Sequence, residues 1–363
     1  MNQIIQILIW LFLASALYAQ QIESTSFTDL FYGSMKPGVS CYRIPTLTST
    51  PGGVLLAVAD ERVHSCKDLG QNENINIVLR SSSDQGRTWS ELVTVLDFPD
   101  GQSASDPSFV VDRKKKEVFL FYNFMDHRNA KGTFRFQFIK SKDDGRTWSE
   151  PVDFTEQVIK PEWKNSFVFI TSGNGIQTRD GKLLHTLVHV SEKAAYVFGS
   201  DDHGKNWYRL DYPLIPGDES KVIELADGRW LVNSRVNNLG FRVAHFSSDQ
   251  GKTWQSMEQK NLIDPGCNAA ILQIPMSGNH SKKSSTLFIN TADASKRINL
   301  SIKKSLDGGM TWGEGKTLYP GSAAYVSATE LASGGIGLLF ERDGYGKISF
   351  THLSLKVIRS LKN

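Results

Sequence analysis

The sequence of 363 residues has little of what several large protein classes require. Its three cysteines are too few for a disulfide scaffold. Its 41 Lys and Arg residues are scattered and nearly balanced by 38 Asp and Glu residues, so there is no basic surface for nucleic acid. Beyond the N-terminus no run is apolar enough to cross a membrane. These shortages argue against a disulfide-rich, a nucleic-acid-binding and a membrane-spanning protein.

The one marked apolar run lies at the N-terminus, from Ile7 to Leu13, and small residues follow it up to Ala19. This order is typical of a secretory signal peptide, although no Lys or Arg precedes the run. The run is short for a membrane anchor. We therefore predict a signal peptide over residues 1–19 and a single mature domain over residues 20–363. We expect a monomer without a membrane anchor that is exported to the periplasm or secreted.

The few cysteines and histidines give no sign of a metal centre. Cys41 and Cys66 could pair in an oxidising compartment and leave Cys267 free, but we expect three reduced thiols buried as small apolar side chains. His185 and His189 lie on one face of a predicted strand, without the cysteine or carboxylate neighbours of a zinc site. We predict that the protein uses no metal and no cofactor.

What the sequence does contain is one phrase, Ser-x-Asp-x-Gly-x-Thr-Trp, in five copies that begin with SSSDQGRTWS at residues 81–90. The aspartates of the five copies are separated by 59, 59, 47 and 58 residues. They are Asp84, Asp143, Asp202, Asp249 and Asp307. Such a period indicates a repeat architecture.

Short runs such as EVFLFYNF, FRFQFIKS, KLLHTLVHV, RWLVNSRV and TLFINTA lie between the boxes. They are rich in β-branched and aromatic residues and are bounded by turn formers, which predicts strands, about four in each repeat. No stretch has a helical period. The mature length divided by the period gives about six units. We predict an all-β fold, a six-bladed β-propeller whose sixth blade is completed by the two chain ends, with the C-terminal KISFTHLSLKVI as a strand.

The repeated phrase itself is explained by architecture. Its Ser and Asp side chains can accept hydrogen bonds from the backbone of a tight turn, and its Gly supplies a positive φ. Its Trp can pack beneath the hairpin. The phrase resembles the Asp box, or BNR repeat, of bacterial-type sialidases, a box that also occurs in propellers without catalysis.

The residues that could do chemistry do not repeat. Arg43 in CYRIPTL is followed by Asp68 after 25 residues, Arg235 follows Glu219 after 16, and Tyr325 follows Arg297 after 28. This set resembles the exo-α-sialidases of glycoside hydrolase family 33 over essentially the whole mature chain. The resemblance implies hydrolysis of terminal α-linked sialic acids, with sialylated glycoproteins, gangliosides and oligosaccharides as partners.

The substrate class explains the three arginines. Sialic acid carries a carboxylate on its anomeric carbon, and arginine is always protonated and binds carboxylates bidentately. Arg43, Arg235 and Arg297, from three different repeats, would hold this charge and fix the sugar ring. The resemblance implies that Glu341 is the acidic partner that orients Arg43.

The same charge favours a tyrosine nucleophile. A carboxylate nucleophile would be repelled by the substrate carboxylate, and sialidases are a recognised exception to the two-carboxylate scheme. A phenol with a pKa near 10 needs an adjacent base. The resemblance gives the role of nucleophile to Tyr325, of base to Glu219, and of acid and then base to Asp68. The expected outcome is retention through a sialyl-tyrosine intermediate.

Secondary contacts are also predicted by resemblance. Arg62 and Asp106 match positions that contact the sugar 4-hydroxyl, and Gln177 lies in a segment that faces the site. For the N-acetyl pocket, Phe124 and Met125 are candidates, although buried strand residues have the same pattern.

Two alternatives remain open from the sequence. A trans-sialidase or an intramolecular trans-sialidase would use the same site residues with a different acceptor. A non-catalytic sialic-acid-binding propeller would need the boxes but not the full set of Arg, Asp, Tyr and Glu residues.

Overall fold

The computed structural model describes residues 26–275 and 284–362, and the predicted signal peptide lies outside them. The strands of the first half are β1 (Thr28–Tyr32), β2 (Val39–Ser49), β3 (Leu55–Val63), β4 (Ile75–Ser82), β5 (Val93–Leu96), β6 (Gln102–Asp112), β7 (Glu117–Asp126), β8 (Arg135–Ser141), β9 (Val152–Asp153), β10 (Val168–Ile170), β11 (Gly173–Asn174) and β12 (Ile176–Gln177). Those of the second half are β13 (Leu183–His189), β14 (Ala194–Ser200), β15 (Tyr208–Arg209), β16 (Ser220–Glu224), β17 (Trp230–Ser234), β18 (Phe241–Ser247), β19 (Gln255–Ile263), β20 (Ala270–Pro275), β21 (Ser284–Thr291), β22 (Ile298–Ser305), β23 (Lys316–Glu330), β24 (Ile336–Arg342) and β25 (Lys347–Leu353).

Helical structure is sparse. It consists of α1 (Thr155–Val158), α2 (Leu355–Arg359) and the 3-10 turns Gly33–Met35, Leu69–Gln71 and Pro161–Trp163. The all-β prediction is confirmed, but the predicted C-terminal strand ends at Leu353. The chain turns into α2 because the Ser354 side chain caps it by accepting a hydrogen bond from the Val357 amide. Neither α1 nor α2, the α-helices of the described ranges, has the length and hydropathy of a membrane span.

Consecutive strands pair antiparallel into twisted sheets. The sheet orders are β2-β3-β4-β5, β11-β6-β7-β8-β9, β10-β13-β14-β15 with β12 beside β13, β16-β17-β18-β19, and β1-β25-β24-β23-β22-β21-β20. In the last sheet β23 serves two neighbours, because residues 316–322 pair with β22 and residues 323–330 pair with β24.

The sheets are arranged in a closed, propeller-like ring. Six strands form the ring and pack against one another in the order β2, β6, β12, β16, β20, β23 and back to β2, and of these β20 and β23 belong to the same sheet. The two chain ends close the last sheet, since β1 pairs with β25. The Asp29 carboxylate accepts hydrogen bonds from Ser349 and Arg342 across this pair, both at 2.6 Å. The prediction that the chain ends meet is confirmed.

Apolar side chains fill the spaces between neighbouring sheets. The cluster between the second and third sheets is strongly aromatic. Trp207 of the third box stands edge-on to Phe121, with ring centroids 5.0 Å apart, and also contacts Phe119, Phe154 and Phe198. Burial of each such side chain contributes about 1.5–3 kcal/mol.

The box turns share one hydrogen-bond pattern. In the second box, Ser141 Oγ accepts from the Gly145 amide at 2.8 Å, and Asp143 accepts from the Thr147 amide at 2.9 Å and the Thr147 hydroxyl at 2.6 Å. The other four boxes repeat this pattern, with Asn206 in place of threonine in the third. The bonds from Thr147 lower the pKa of Asp143 to about 2. The interpretation of the box as a turn former is confirmed.

The structure corrects the prediction about the cysteines. Cys41 at the start of β2 and Cys66 after β3 form a disulfide, with Cα atoms 5.7 Å apart. The prediction of three reduced thiols is therefore wrong for these two, because the hairpin brings them within disulfide distance. Cys267 is free and buried, as predicted.

Candidate active site

The candidate site lies where the first strands of the ring begin, and irregular backbone positions its side chains. The strands lose register beside site residues in β2 (Arg43/Thr46), β6 (Ser105/Ser108) and β23 (Ala323/Val326). Bulges of this kind redirect a side chain away from the regular alternation of a strand. At two of them the backbone is left-handed, with φ of 56° at Ile44 and 58° at Asp106.

The bulge in β2 joins Arg43 to Glu341. Arg43 Nε donates to Glu341 Oε1 at 2.7 Å, and the Ile44 amide donates to the same oxygen at 3.0 Å. The Tyr325 amide donates to Glu341 Oε2 at 3.3 Å. Glu341 is fully buried, so its charge is compensated by these three donors. This contact is the one predicted between Arg43 and its acidic partner.

Tyr325, Glu219 and Arg235 form a compact triad. The Tyr325 hydroxyl donates to Glu219 Oε2 at 2.7 Å, and Arg235 Nη1 donates to Tyr325 Oη at 3.2 Å and to the same Glu219 oxygen. Burial and the Glu219 charge raise the pKa of Tyr325 well above its ordinary value, against the opposing charges of Arg235 and Arg297. The phenol is therefore neutral in the resting site, with its proton already directed at a carboxylate.

Arg297, immediately before β22, reaches the same tyrosine. Its guanidinium carbon lies 5.3 Å from the centroid of the Tyr325 ring, and its Nη2 donates to the Gly266 carbonyl at 2.8 Å. Its Nη1 donates at 3.2 Å to the hydroxyl of Tyr345, a residue that the sequence did not single out. The three predicted arginines thus surround one tyrosine.

Arg62 lies near the end of β3, and Asp68 lies in the loop that follows it. The Asp68 side chain is 86% exposed, and its Oδ1 accepts from Arg62 Nη1 at 2.7 Å. Arg62 itself is buried and is held by the Asp60 carboxylate at 3.1 Å and the Cys66 carbonyl at 2.8 Å. An exposed carboxyl on a fixed arginine can exchange protons with solvent while it keeps its place.

Asp106 faces the cavity from β6. Its carboxylate accepts from Asn123 Nδ2 at 3.1 Å, and its amide donates to Asp60 at 3.1 Å. Burial, with the neighbouring Asp60 charge, raises the pKa of Asp106 well above its usual value. A carboxyl at this position can donate a hydrogen bond to a sugar hydroxyl when it is protonated and accept one when it is ionised.

These groups border a cavity of about 290 Å³. One side is polar and carries Asp68, Asp106, Glu219, Arg235 and Tyr325. The apolar part of the lining carries Phe134, Phe167, Phe169 and Val190. Phe134 and Phe167 stack with ring centroids 4.7 Å apart. A cavity lined by both polar and apolar side chains suits an amphipathic ring such as a sugar.

Three predicted residues lie elsewhere. Gln177 accepts from the Arg113 amide at 2.9 Å and donates to Asp112 at 2.7 Å, beside a second cavity of about 270 Å³ formed by the far ends of the ring strands. Its predicted place in the site is wrong. Phe124 packs against Phe98 instead, at 4.9 Å between ring centroids.

Met125, the other candidate for the N-acetyl pocket, is buried with Leu69 and Ile75 behind Phe134. Neither candidate reaches the cavity because successive side chains of β7 point to opposite faces of its sheet, and both faces are already covered. The residues of the apolar wall come instead from loop ends and short strands, where no sequence period marks them.

Asp218 was also missed. Its carboxylate accepts from the Glu219 amide at 2.7 Å and from Asn237, and Asn237 in turn accepts from Arg235 Nε at 2.8 Å. Its position next to Glu219 was the available signal. Within residues 26–275 and 284–362, no group of three His, Cys, Asp or Glu side chains could hold a metal ion.

Comparison with known proteins agrees with this geometry. The BNR repeat-like domain family matches residues 64–338. A sialidase from Bacteroides fragilis is 34% identical over 298 residues, covering 75% of this chain and 54% of that protein. A sialidase from Micromonospora viridifaciens is 33% identical over 335 residues, covering 84% and 50%. The chain thus spans about half the length of these relatives.

Among solved structures, the Hadza microbial sialidase Hz136 superposes with a TM-score of 0.78 at 29% identity, covering 88% of this chain and 66% of that one. The family match extends over most of the described chain, and it includes the box turns, the triad and the cavity. The chain therefore belongs to the BNR-repeat sialidases of the bacterial type.

Proposed function

We propose that the protein is an exo-α-sialidase that hydrolyses terminal α-linked sialic acids with retention of configuration. The observation that carries the proposal is the hydrogen bond of 2.7 Å between the Tyr325 hydroxyl and Glu219, among three arginines. A binding module needs cations for the carboxylate, but it has no use for a tyrosine paired with a buried base.

In the first half of the reaction, Arg43, Arg235 and Arg297 hold the substrate carboxylate. Glu219 takes the proton of Tyr325, and the phenolate oxygen attacks the anomeric carbon as the bond to the leaving oxygen breaks. Asp68 donates its proton to that oxygen. Arg235 contacts both Glu219 and the Tyr325 oxygen and so stabilises the negative charge as it moves from one to the other.

In the second half, the ionised Asp68 takes a proton from water, and the resulting hydroxide attacks the anomeric carbon. The bond to Tyr325 breaks, and the phenolate recovers its proton from Glu219. Two inversions give net retention. The exposure of Asp68 suits both of its roles, because the leaving group departs into solvent and the water enters from solvent.

The remaining contacts follow from the two walls of the cavity. Asp106 and Arg62 bind the sugar hydroxyls on the polar side. The apolar wall around Phe134 and Phe167 takes the methyl of the N-acetyl group, in place of Phe124 and Met125.

The proposal also includes six blades, export and a monomeric state. Splitting β23 between its two partners divides the strands into six groups, which supports the blade count. The Cys41–Cys66 disulfide supports an oxidising compartment outside the cytosol.

The test is release of a fluorophore from an α-linked sialoside, with the sugar product identified by mass and its first-formed anomer by NMR. We expect free sialic acid that appears as the α-anomer. The matched control is Tyr325→Phe, which removes one oxygen and should abolish turnover. A β-anomer as first product would exclude the covalent mechanism, and an anhydro or transferred sugar as the main product would replace hydrolysis with one of the transfer reactions.

A further inference from the structure

The turn between β24 and β25 has an unusual backbone. Asp343, Gly344 and Tyr345 are all left-handed, with φ of 55°, 65° and 68°. Gly and Asp tolerate this region, but for a bulky residue such as tyrosine it is a genuine outlier. Strain of this kind concentrates at functional sites. The turn therefore holds Tyr345 in a place that an unstrained hairpin would not give it.

That place is directly over the arginines. The Tyr345 ring lies on Arg43, with 4.1 Å between the guanidinium carbon and the ring centroid. Its hydroxyl accepts a hydrogen bond from Arg297 at 3.2 Å. One side chain thus contacts two of the three proposed carboxylate ligands while 36% of its surface stays open to solvent.

The charges of the three arginines are not compensated in the same way. Arg43 is paired with Glu341 and Arg235 with Glu219. Among the ion pairs of the described ranges none includes Arg297, whose acceptors are the Gly266 carbonyl and the Tyr345 hydroxyl. A phenol that accepts from Arg297 keeps its own proton available, and in the described part of the chain no acceptor receives that proton.

We propose that Tyr345 is a fourth member of the carboxylate site. Its ring packs on the Arg43 guanidinium and fixes its position, its oxygen holds the Arg297 guanidinium in place, and its O–H donates to one oxygen of the bound carboxylate. This inference rests on the proposed function and deepens it, because it makes recognition of a carboxylate-bearing sugar depend on a neutral donor as well as on three cations.

The test compares Tyr345→Phe, which keeps the ring, with Tyr345→Ala, which removes it. The matched control is Tyr208→Phe, which deletes a hydroxyl bonded to Asp201 on an outer strand. We expect KM for a sialoside to rise about threefold to tenfold in the Phe variant and about tenfold to thirtyfold in the Ala variant, with kcat changed less than about twofold. Tyr208→Phe should leave both constants unchanged.

A second readout uses inhibitors. The inhibition constant of a 2,3-unsaturated sialic acid should rise in parallel with KM in the two variants, whereas that of its uncharged methyl ester should not. Unchanged KM and unchanged inhibition in both variants, or equal losses for acid and ester, would overturn the role of Tyr345 and leave the proposed function intact. A wild-type protein that neither cleaves a sialoside nor binds the acid would instead overturn the proposed function and this inference together.

Discussion

In each box turn the aspartate is held by groups no more than four residues away, as Thr147 holds Asp143. In the site the partners are distant along the chain: Tyr325 and Glu219 are 106 residues apart, and Arg43 and Glu341 are 298 apart. A turn that is complete within itself can be copied from blade to blade. A site that is assembled across the ring occurs once, and each of its residues is unique in the sequence.

The electrostatics of the two regions differ in the same way. Hydrogen bonds from Thr147 lower the pKa of Asp143 to about 2, whereas burial and the Glu219 charge raise the pKa of Tyr325 well above its ordinary value. The boxes stabilise charged groups in their ordinary state. In the proposed mechanism the site holds a neutral phenol that must ionise, and it surrounds that phenol with charge that supports the step.

The sharpest test of this contrast is Asp68→Ala. Because the variant lacks the proposed acid, we expect a natural sialoside to react slower by on the order of 10²–10⁴. An aryl sialoside with a good leaving group should still sialylate Tyr325, so a burst of phenol followed by slow turnover is expected in rapid-mixing measurements.

Azide should accelerate the second step of that variant, since a small anion can replace the water that Asp68 no longer activates. The control is Asp143→Ala, a box aspartate with no role in the chemistry. Equal losses on both substrates without a burst would reduce Asp68 to a structural partner of Arg62.

Trp207→Ala tests the other side of the comparison. Truncation of a buried aromatic residue costs about 3–5 kcal/mol of unfolding free energy, and Trp207 is buried among phenylalanines. We expect a large loss in denaturant midpoint with kcat preserved in the molecules that remain folded. Trp148 is only partly buried, so Trp148→Ala should lower the denaturant midpoint less than Trp207→Ala does. A Trp207 variant with parental stability but no turnover would contradict the architectural role of the boxes.

Arg235→Lys should have a smaller effect, confined to activity. Lysine keeps the charge but cannot donate to Glu219, Tyr325 and Asn237 from one planar group, as Arg235 does. One charged hydrogen bond is worth about 1.5–3 kcal/mol, so kcat/KM should fall about tenfold to a hundredfold. The melting temperature serves as the control, and an unchanged kcat/KM in a folded variant would remove Arg235 from the carboxylate site.

The smallest expected effect is the pH dependence of the stability that a box aspartate contributes. The folded pKa of Asp143 is about 2 against an ordinary 3.8, so the ionised turn stabilises the fold above about pH 4 and loses that contribution as the pH falls toward 2. The difference in melting temperature between the protein and Asp143→Asn should therefore shrink between pH 4 and pH 2. Asp97→Asn, on an exposed loop, is the control. A difference that does not change with pH would mean that the charge of Asp143 does not stabilise the turn.

The features that the sequence predicted are those with a local signature. The strands between the boxes, the turn bonds of the boxes and the meeting of the chain ends follow from spacing and turn chemistry. The set from Arg43 to Tyr325 was found by resemblance, and the structure brings Asp68, Glu219, Arg235 and Tyr325 to one cavity. Arg297 lies against the Tyr325 ring, and Arg43 is joined to the Tyr325 backbone through Glu341.

What the sequence missed depends on the direction in which the backbone points individual side chains. The short strands β11 and β12 direct Gln177 to Asp112. The alternation of side chains along the regular strand β7 directs Phe124 to Phe98. Tyr345 reaches Arg43 only through a left-handed turn, which no propensity of tyrosine suggests. Phe134 and Phe167 meet across two sheets. None of these contacts could be inferred without the three-dimensional arrangement of the sheets.

The pairing of β1 with β25 also affects folding during synthesis of the chain. Asp29 and Ser349, which bond to each other, are 320 residues apart. A ribosome that adds about 5–20 residues per second needs roughly 15–60 s to travel from one to the other. Throughout that interval residues 28–32 have no strand to pair with, and for most of it Glu341 has yet to be synthesised. The nascent chain therefore carries an open β-edge, a template for aggregation, until β25 has been made, and it acquires its arginine site only when the ring closes.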